Sequence, residues 1–350
     1  MSKLPNNDML PDDGDIVDDI STRRALAIPV LLSLLTIAIA ALISLRTGVT
    51  GWRVFGPYLG AWAACTLLSV LIWMFVRIAI LFPSRAENPV RKVTARIHEP
   101  LKLAPLPAVI FPLFLGGYTW AKSSIPFAVG YGWEKTWAHA DRAIFGMDAW
   151  RWSHGLMPDF MAPAWTLYYA MVWGFALVFS GTLVAAFASR RFTATFFTAL
   201  MLSWLIGGIG LAYAMSAAGP VFAHLADPAL GAQFEPLHAE LSRLLARDDL
   251  VLKSQRYLEA GAAVKLAVKG GGISAMPSMH MATATILTCA AWRTKWAPLA
   301  LLFWVLTFFG SIYLGYHYAV DAPVAAALAA LCWVAARLAY GKLRWLRQAE

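Results

Sequence analysis

Charge is scarce in this chain. Only 14% of its 350 residues are Asp, Glu, Lys or Arg, against roughly a quarter in an ordinary soluble domain. Hydrophobic residues make up 59%, and the mean hydropathy is +0.60. That balance excludes a soluble globular domain and a disordered chain, and leaves a multi-pass membrane protein. Cysteine is scarce too. Cys65, Cys289 and Cys332 each sit inside an apolar run, and none forms a C-x-x-C pair. A disulfide scaffold and a thiolate metal site are thereby excluded. H-E-x-x-H, G-x-S-x-G and G-x-G-x-x-G are all missing, and the KGGG at 269–272 lacks the G-K-[ST] ending of a P-loop. His139 and Asp141 offer two metal ligands without a third, so no metal and no cofactor is expected. Acids are outnumbered, giving a net charge of +9. No basic patch lies on a soluble module, which argues against a nucleic-acid partner. The cations read instead as markers of membrane topology.

What the chain has in abundance is apolar runs. A helix needs about 20 apolar residues to cross a bilayer. Eight stretches reach or approach that length, near 25–45, 57–82, 105–127, 162–188, 193–217, 277–292, 297–314 and 319–340. The expected fold is therefore an all-α membrane bundle of about eight spans. With the N-terminus inside, more than half of the 29 cations fall on inner segments, including Arg91, Lys92, Arg96, Arg190 and Arg191. Both termini are then cytoplasmic, and the long loops 128–161 and 218–276 face out, in the cell (inner) membrane. The expected organisation is a disordered acidic tail (1–24), two spans with a basic cytoplasmic loop (25–104), a membrane core (105–340) and a basic cytoplasmic tail (341–350). The first apolar run is longer than a signal peptide's and follows a long acidic segment, so it reads as a retained span.

The outer loops carry Trp133, Trp137, Trp150 and Trp152, and an amphipathic helix with Leu237, Leu241, Leu244 and Leu245 on one side. They suit either interfacial caps or a lid.

Ionisable groups at membrane depth are functional suspects. His280 stands at the outer start of the sixth span, and His317 and Asp321 at the outer junction of the last two. The i, i+4 spacing predicts a helix on which Asp321 accepts from one ring nitrogen of His317 and leaves the other free as nucleophile or base. Two histidines and a carboxylate in one layer suit acid–base and nucleophilic work on a phosphate ester.

PSMH at 277–280, followed by YLGYHYAVD at 313–321, resembles the second and third signature motifs of the type 2 phosphatidic acid phosphatase superfamily, roughly P-S-G-H and S-R-x-x-x-x-x-H-x-x-x-D. The resemblance is strong over about 270–335 and weaker back to Lys135. It implies a six-helix core to which the first two spans are additions. It further implies a phosphohistidine on His317, with His280 as general acid, Asp321 orienting the nucleophile, and no metal. Ser278 would bind phosphate with the backbone N–H groups of the sixth helix. The cationic clamp of that pattern is missing. Gly219 and Ser311 stand in the places of its arginines, and Ala212 in that of its lysine. Lys135 and Arg142 have the first motif's spacing, but in another loop and without its Pro. Lys265, Lys269 and Arg142 are the remaining outer-side candidates for the phosphate.

The loss of cations, the bulky Met279 and a D-x-x-x-F-G stretch from Asp141 to Gly146 together resemble the inositol phosphorylceramide synthase branch. That likeness implies a phosphotransferase, with a phospholipid and a lipid alcohol as partners. The alternative is a lipid phosphate phosphatase acting on phosphatidic acid or an isoprenyl phosphate. Neither head group nor oligomeric state is encoded in these motifs.

Overall fold

The computed structural model describes residues 20–82 and 88–341. The expected acidic tail falls outside the described residues as far as residue 19, and the expected basic tail from residue 342 onward. Among the described residues all regular structure is helical, apart from one isolated bridge between Thr50 and Leu266. In lipid the backbone must satisfy itself, and a continuous apolar run can do so only as a helix.

The chain opens with α1 (Thr22–Thr47) and α2 (Trp52–Leu81). The segment Pro89–Leu101 then bends by 46° into α3 (Leu106–Ser123). Two short helices follow, α4 (Glu134–Phe145) and α5 (Ala149–Leu156). Next come α6 (Asp159–Phe187) and α7 (Arg190–Ala214). The second long loop folds into α8 (Pro228–Leu244) and α9 (Leu250–Ala263). The chain closes with α10 (Met279–Ala291), α11 (Ala297–Tyr313) and α12 (Asp321–Tyr340). Five of these helices are long and apolar enough to cross a membrane, or six with the bent pair counted as one; α10 and α11 are shorter apolar helices.

α7 is the axis of the bundle. In its apolar window 72% of residues are buried, against 22–33% in α1, α2, α6 and α12. Phe196, Phe197, Leu200 and Met201 are all but inaccessible. The outer helices instead expose Leu31, Leu67, Phe75, Leu299 and Leu338, a collar that only an apolar solvent tolerates. α12 packs on α7 and α10 through Ala322, Ala325, Ala329 and Ala336, all 3% exposed or less. Such small residues let helices approach closely where no hydrophobic effect drives them together. α1 packs along α3 and α7, and α2 along α3 and α6.

α4, α5, α8 and α9 form a cap over one end of the bundle. Its core holds Trp150, Phe234, Leu237, Leu241 and Leu245. Leu237, Leu241 and Leu245 are buried and Leu244 is partly so, as the amphipathic pattern predicts. The cap rests on the turn between α11 and α12. There Gly315 adopts φ +70°, and a Cβ on it would lie 2.5 Å from Leu237.

Candidate active site

His317 lies in that turn, and Asp321 is the first residue of α12. The spacing predicts a shared helical face. The two side chains do meet, but through a tight turn, because Gly315 reverses the chain before α12 begins. His317 Nδ1 lies 3.1 Å from Asp321 Oδ2 and 2.8 Å from the carbonyl oxygen of Ala275. A carbonyl can only accept, so Nδ1 carries the proton and Nε2 is left unprotonated. Asp321 Oδ2 also accepts from the N–H of Tyr318 at 3.1 Å. The pair is dry: His317 is 6% exposed and Asp321 0%.

His280 is the second residue of α10, capped by Ser278. The Ser278 hydroxyl accepts from the Met281 N–H at 3.3 Å. That leaves the first N–H groups of α10 without helical partners, directed at the space before the helix. The His280 ring lies against Tyr169 (centroids 4.4 Å) and Trp173 (4.2 Å), and 5.6 Å from the His317 ring. Tyr169 belongs to a π-helical turn, Tyr168–Val172, within α6. Aromatic pairs of this kind contribute about 0.5–1.5 kcal/mol each. Stacking thus sets the angle of His280, and no protein hydrogen bond among the described residues occupies its ring nitrogens.

Both histidines line a cavity of about 590 Å³. Its apolar walls come from α2 (Tyr58, Trp62), α3 (Leu115, Tyr118) and α6 (Leu177, Val178). Its mouth is the glycine-rich loop 269–273, tied down by Tyr58, whose hydroxyl accepts from the Gly270 N–H at 2.8 Å.

The expected phosphate ligands are dispersed. Ser278, fully buried, caps α10 beside the histidines. Lys269 lines the mouth of the cavity and is exposed. Lys265 turns away, its Nζ donating to the Thr47 carbonyl at 3.3 Å. Arg142 sits in the cap, paired with Asp148 at 2.6 Å, and Lys135 pairs with Asp227 at 2.6 Å. Neither is among the residues that line the cavity.

Lys122, which sequence reasoning missed, does line it, from the last turn of α3. Its signal was present: a lone cation inside the apolar run 105–127, at the depth where such groups are suspect. Among the described residues no carboxylate pairs with it.

Two further acids support the site: Glu134, which no sequence signal marked, and Asp141, which the sequence marked only beside His139 and in the D-x-x-x-F-G stretch. Glu134 in α4 accepts from the N–H groups of Ala218 and Gly219 and from the Tyr318 hydroxyl. Asp141, two turns on, accepts from the N–H groups of Ala319 (2.9 Å) and Val320 (3.0 Å). These residues immediately precede α12, whose N-cap is Val320. One face of α4 therefore holds the segment 318–320 that follows His317 and, through Glu134, the Ala218–Gly219 backbone. Burial pushes the Asp141 carboxyl up to about 6, and burial likewise raises that of Glu134, against the opposing effect of their hydrogen bonds.

No group of metal-ligating side chains occurs among the described residues. A family model described as the PAP2 superfamily matches residues 143–335, more than half of the chain. Comparison with curated proteins and with solved structures gives no match.

Proposed function

The chain belongs to the PAP2 superfamily, and from that premise we propose that it is a membrane phosphotransferase. It moves a phospho-alcohol head group from a phospholipid to a lipid hydroxyl, as in the inositol phosphorylceramide synthase branch. His317 Nε2 attacks phosphorus, and the bond to the diacylglycerol oxygen breaks. Protonated His280 delivers its proton to that leaving oxygen. The phosphohistidine then meets the acceptor. His280 takes the acceptor's hydroxyl proton, the acceptor oxygen bonds to phosphorus, and Nε2 is released. Asp321 stabilises the Nδ1–H of His317 as positive charge develops on the ring. Ser278 and the free N–H groups of α10 bind phosphate oxygens.

The observation that carries this reading is what fills the clamp positions. Gly219 adopts φ +97°, and a Cβ there would lie 2.5 Å from the Tyr316 carbonyl oxygen. An arginine has no room. Ser311 is 1% exposed and donates to the Phe308 carbonyl within its own helix. Ala212 is 1% exposed. A phosphomonoester carries nearly two negative charges at neutral pH and a diester one. A site without arginines compensates the monoester's lost hydration poorly. The chamber also holds a lipid alcohol at high effective concentration, which favours transfer over hydrolysis.

We read the bundle as eight crossings, with α10 and α11 as the short ones. Both termini are cytoplasmic and the cap lies outside, in the cell membrane. The test uses purified protein with a glycerophospholipid and an added lipid alcohol. Head-group transfer with diacylglycerol as co-product is expected, insensitive to chelators. Rapid phosphate release from phosphatidic acid or an isoprenyl phosphate, with no transfer from any diester, establishes the phosphatase instead.

A further inference from the structure

Resting on that reading, we infer that Lys122 is the cation that receives the phosphate of the substrate, supplied by α3 in place of the missing arginines. α3 lies outside the matched residues 143–335. Three observations converge. First, among the described residues Lys122 and Lys269 are the cations that line the chamber, and of the two Lys122 is partly buried whereas Lys269 is exposed. The charge of Lys122 bears on both His280 and His317.

Second, the surroundings are shaped for it. Gly272 adopts φ +94°, and a Cβ there would lie 2.6 Å from Lys122 Cγ and 2.9 Å from its Cβ. The glycine loop thus leans directly on the lysine's methylene stem, and any side chain at 272 would displace it. The loop is held there from α2 and α3, since Tyr58 binds both the Gly270 N–H and the Thr119 hydroxyl at 2.9 Å. Thr119 lies three residues before Lys122, on the same face of α3.

Third, no carboxylate among the described residues forms an ion pair with Lys122. Asp321 Oδ2 is held by His317 and Tyr318, and Glu134 by Ala218, Gly219 and Tyr318. A cation held in an apolar chamber without a counter-ion calls for an anion from outside. The ligand class follows. One fixed positive charge, with helix N–H groups opposite, matches one negative charge, that of a phosphodiester head group. The expectation concerns binding as well as turnover, so Lys122 is a specificity-determining contact for the phosphate.

The test takes the full chain in detergent or nanodiscs as wild type, Lys122→Met and Lys122→Arg. Methionine keeps the stem and removes the charge. Binding of dimethyl phosphate, a soluble diester with one negative charge, is measured calorimetrically, and transfer from a glycerophospholipid kinetically. We expect Lys122→Met to weaken binding of this probe and to raise KM for the phospholipid about 10- to 100-fold, as loss of one charge-assisted contact implies. Lys122→Arg should recover part of both. Probe affinity and KM at wild-type values in Lys122→Met overturn the inference, as does failure of the wild type to bind dimethyl phosphate. Should Lys122→Met not fold, an unchanged probe affinity and KM in Lys122→Gln overturn it equally. If the wild type transfers nothing from any diester while probe binding still depends on Lys122, the transferase reading falls and the lysine's assignment stands. If transfer proceeds undiminished in Lys122→Met, the reverse holds.

Discussion

At the level of single residues the candidate site turns on one proton. His317 holds it on Nδ1 between two acceptors, the Ala275 carbonyl and Asp321. Asp321→Asn keeps the shape but removes the anion that stabilises a charged ring. Activity should fall roughly 10²- to 10⁴-fold, by analogy with other His–carboxylate pairs. His317→Ala should abolish turnover while the protein still inserts and remains monodisperse. A purified His317→Ala enzyme with wild-type turnover would remove His317 as the nucleophile. These residues were legible in the sequence because a histidine or carboxylate at membrane depth stands out against apolar neighbours. The missing arginines were legible as well. Their physical reason was not, because the positive φ of Gly219 and the nearby Tyr316 carbonyl are facts of three dimensions. Lys122 was overlooked because it falls within a run that reads as an ordinary span, and no motif marks it.

At the level of elements, α4 deserves its own test. The helix is amphipathic in the ordinary sense, but its buried face carries two carboxylates seven residues apart, Glu134 and Asp141. The sequence showed the D-x-x-x-F-G stretch without its purpose, since the N–H groups of Ala319 and Val320 are nearly 180 positions away along the chain. Asp141→Ala leaves those donors buried and unpaired, a loss of about 1–3 kcal/mol. Activity should drop at least about tenfold through the His317 turn that they anchor. The carboxyl is also a pH probe. Its folded pKa, about 6, lies above the ordinary 3.8, so the folded state binds the proton more tightly than the unfolded one. Its contribution to stability is full below about pH 4 and is lost as pH rises through 6. Melting curves of the wild type and Asp141→Asn across pH 4–7 should therefore differ in slope, the wild type losing more with rising pH. Parallel slopes would remove Asp141 as the titrating group. The i, i+4 pair teaches the complementary lesson. Spacing predicted the contact of His317 with Asp321, but the conformation that makes it is a glycine turn.

For the whole molecule, the helical, membrane-spanning class followed from the apolar runs alone. The number of long spans did not, because α10 and α11 are shorter than a full crossing and α10 begins inside the PSMH motif. Orientation is open to direct measurement. A cysteine placed at Asp249 should label with an impermeant maleimide in intact cells, and one placed at Lys295 only after lysis. The opposite pattern would put the histidines on the cytoplasmic face.

The chamber reaches the side of the bundle. Its lining includes Met171 and Phe175 of α6, both exposed on the apolar collar, next to Ala61 and Cys65 of α2. A seam between α2 and α6 thus joins the histidines to the surrounding acyl chains. Substrate that enters by this route never passes through bulk water, so its encounter with His317 is a two-dimensional event. The rate would then follow the mole fraction of donor lipid in the bilayer, and diluting the vesicles at constant composition would leave it unchanged.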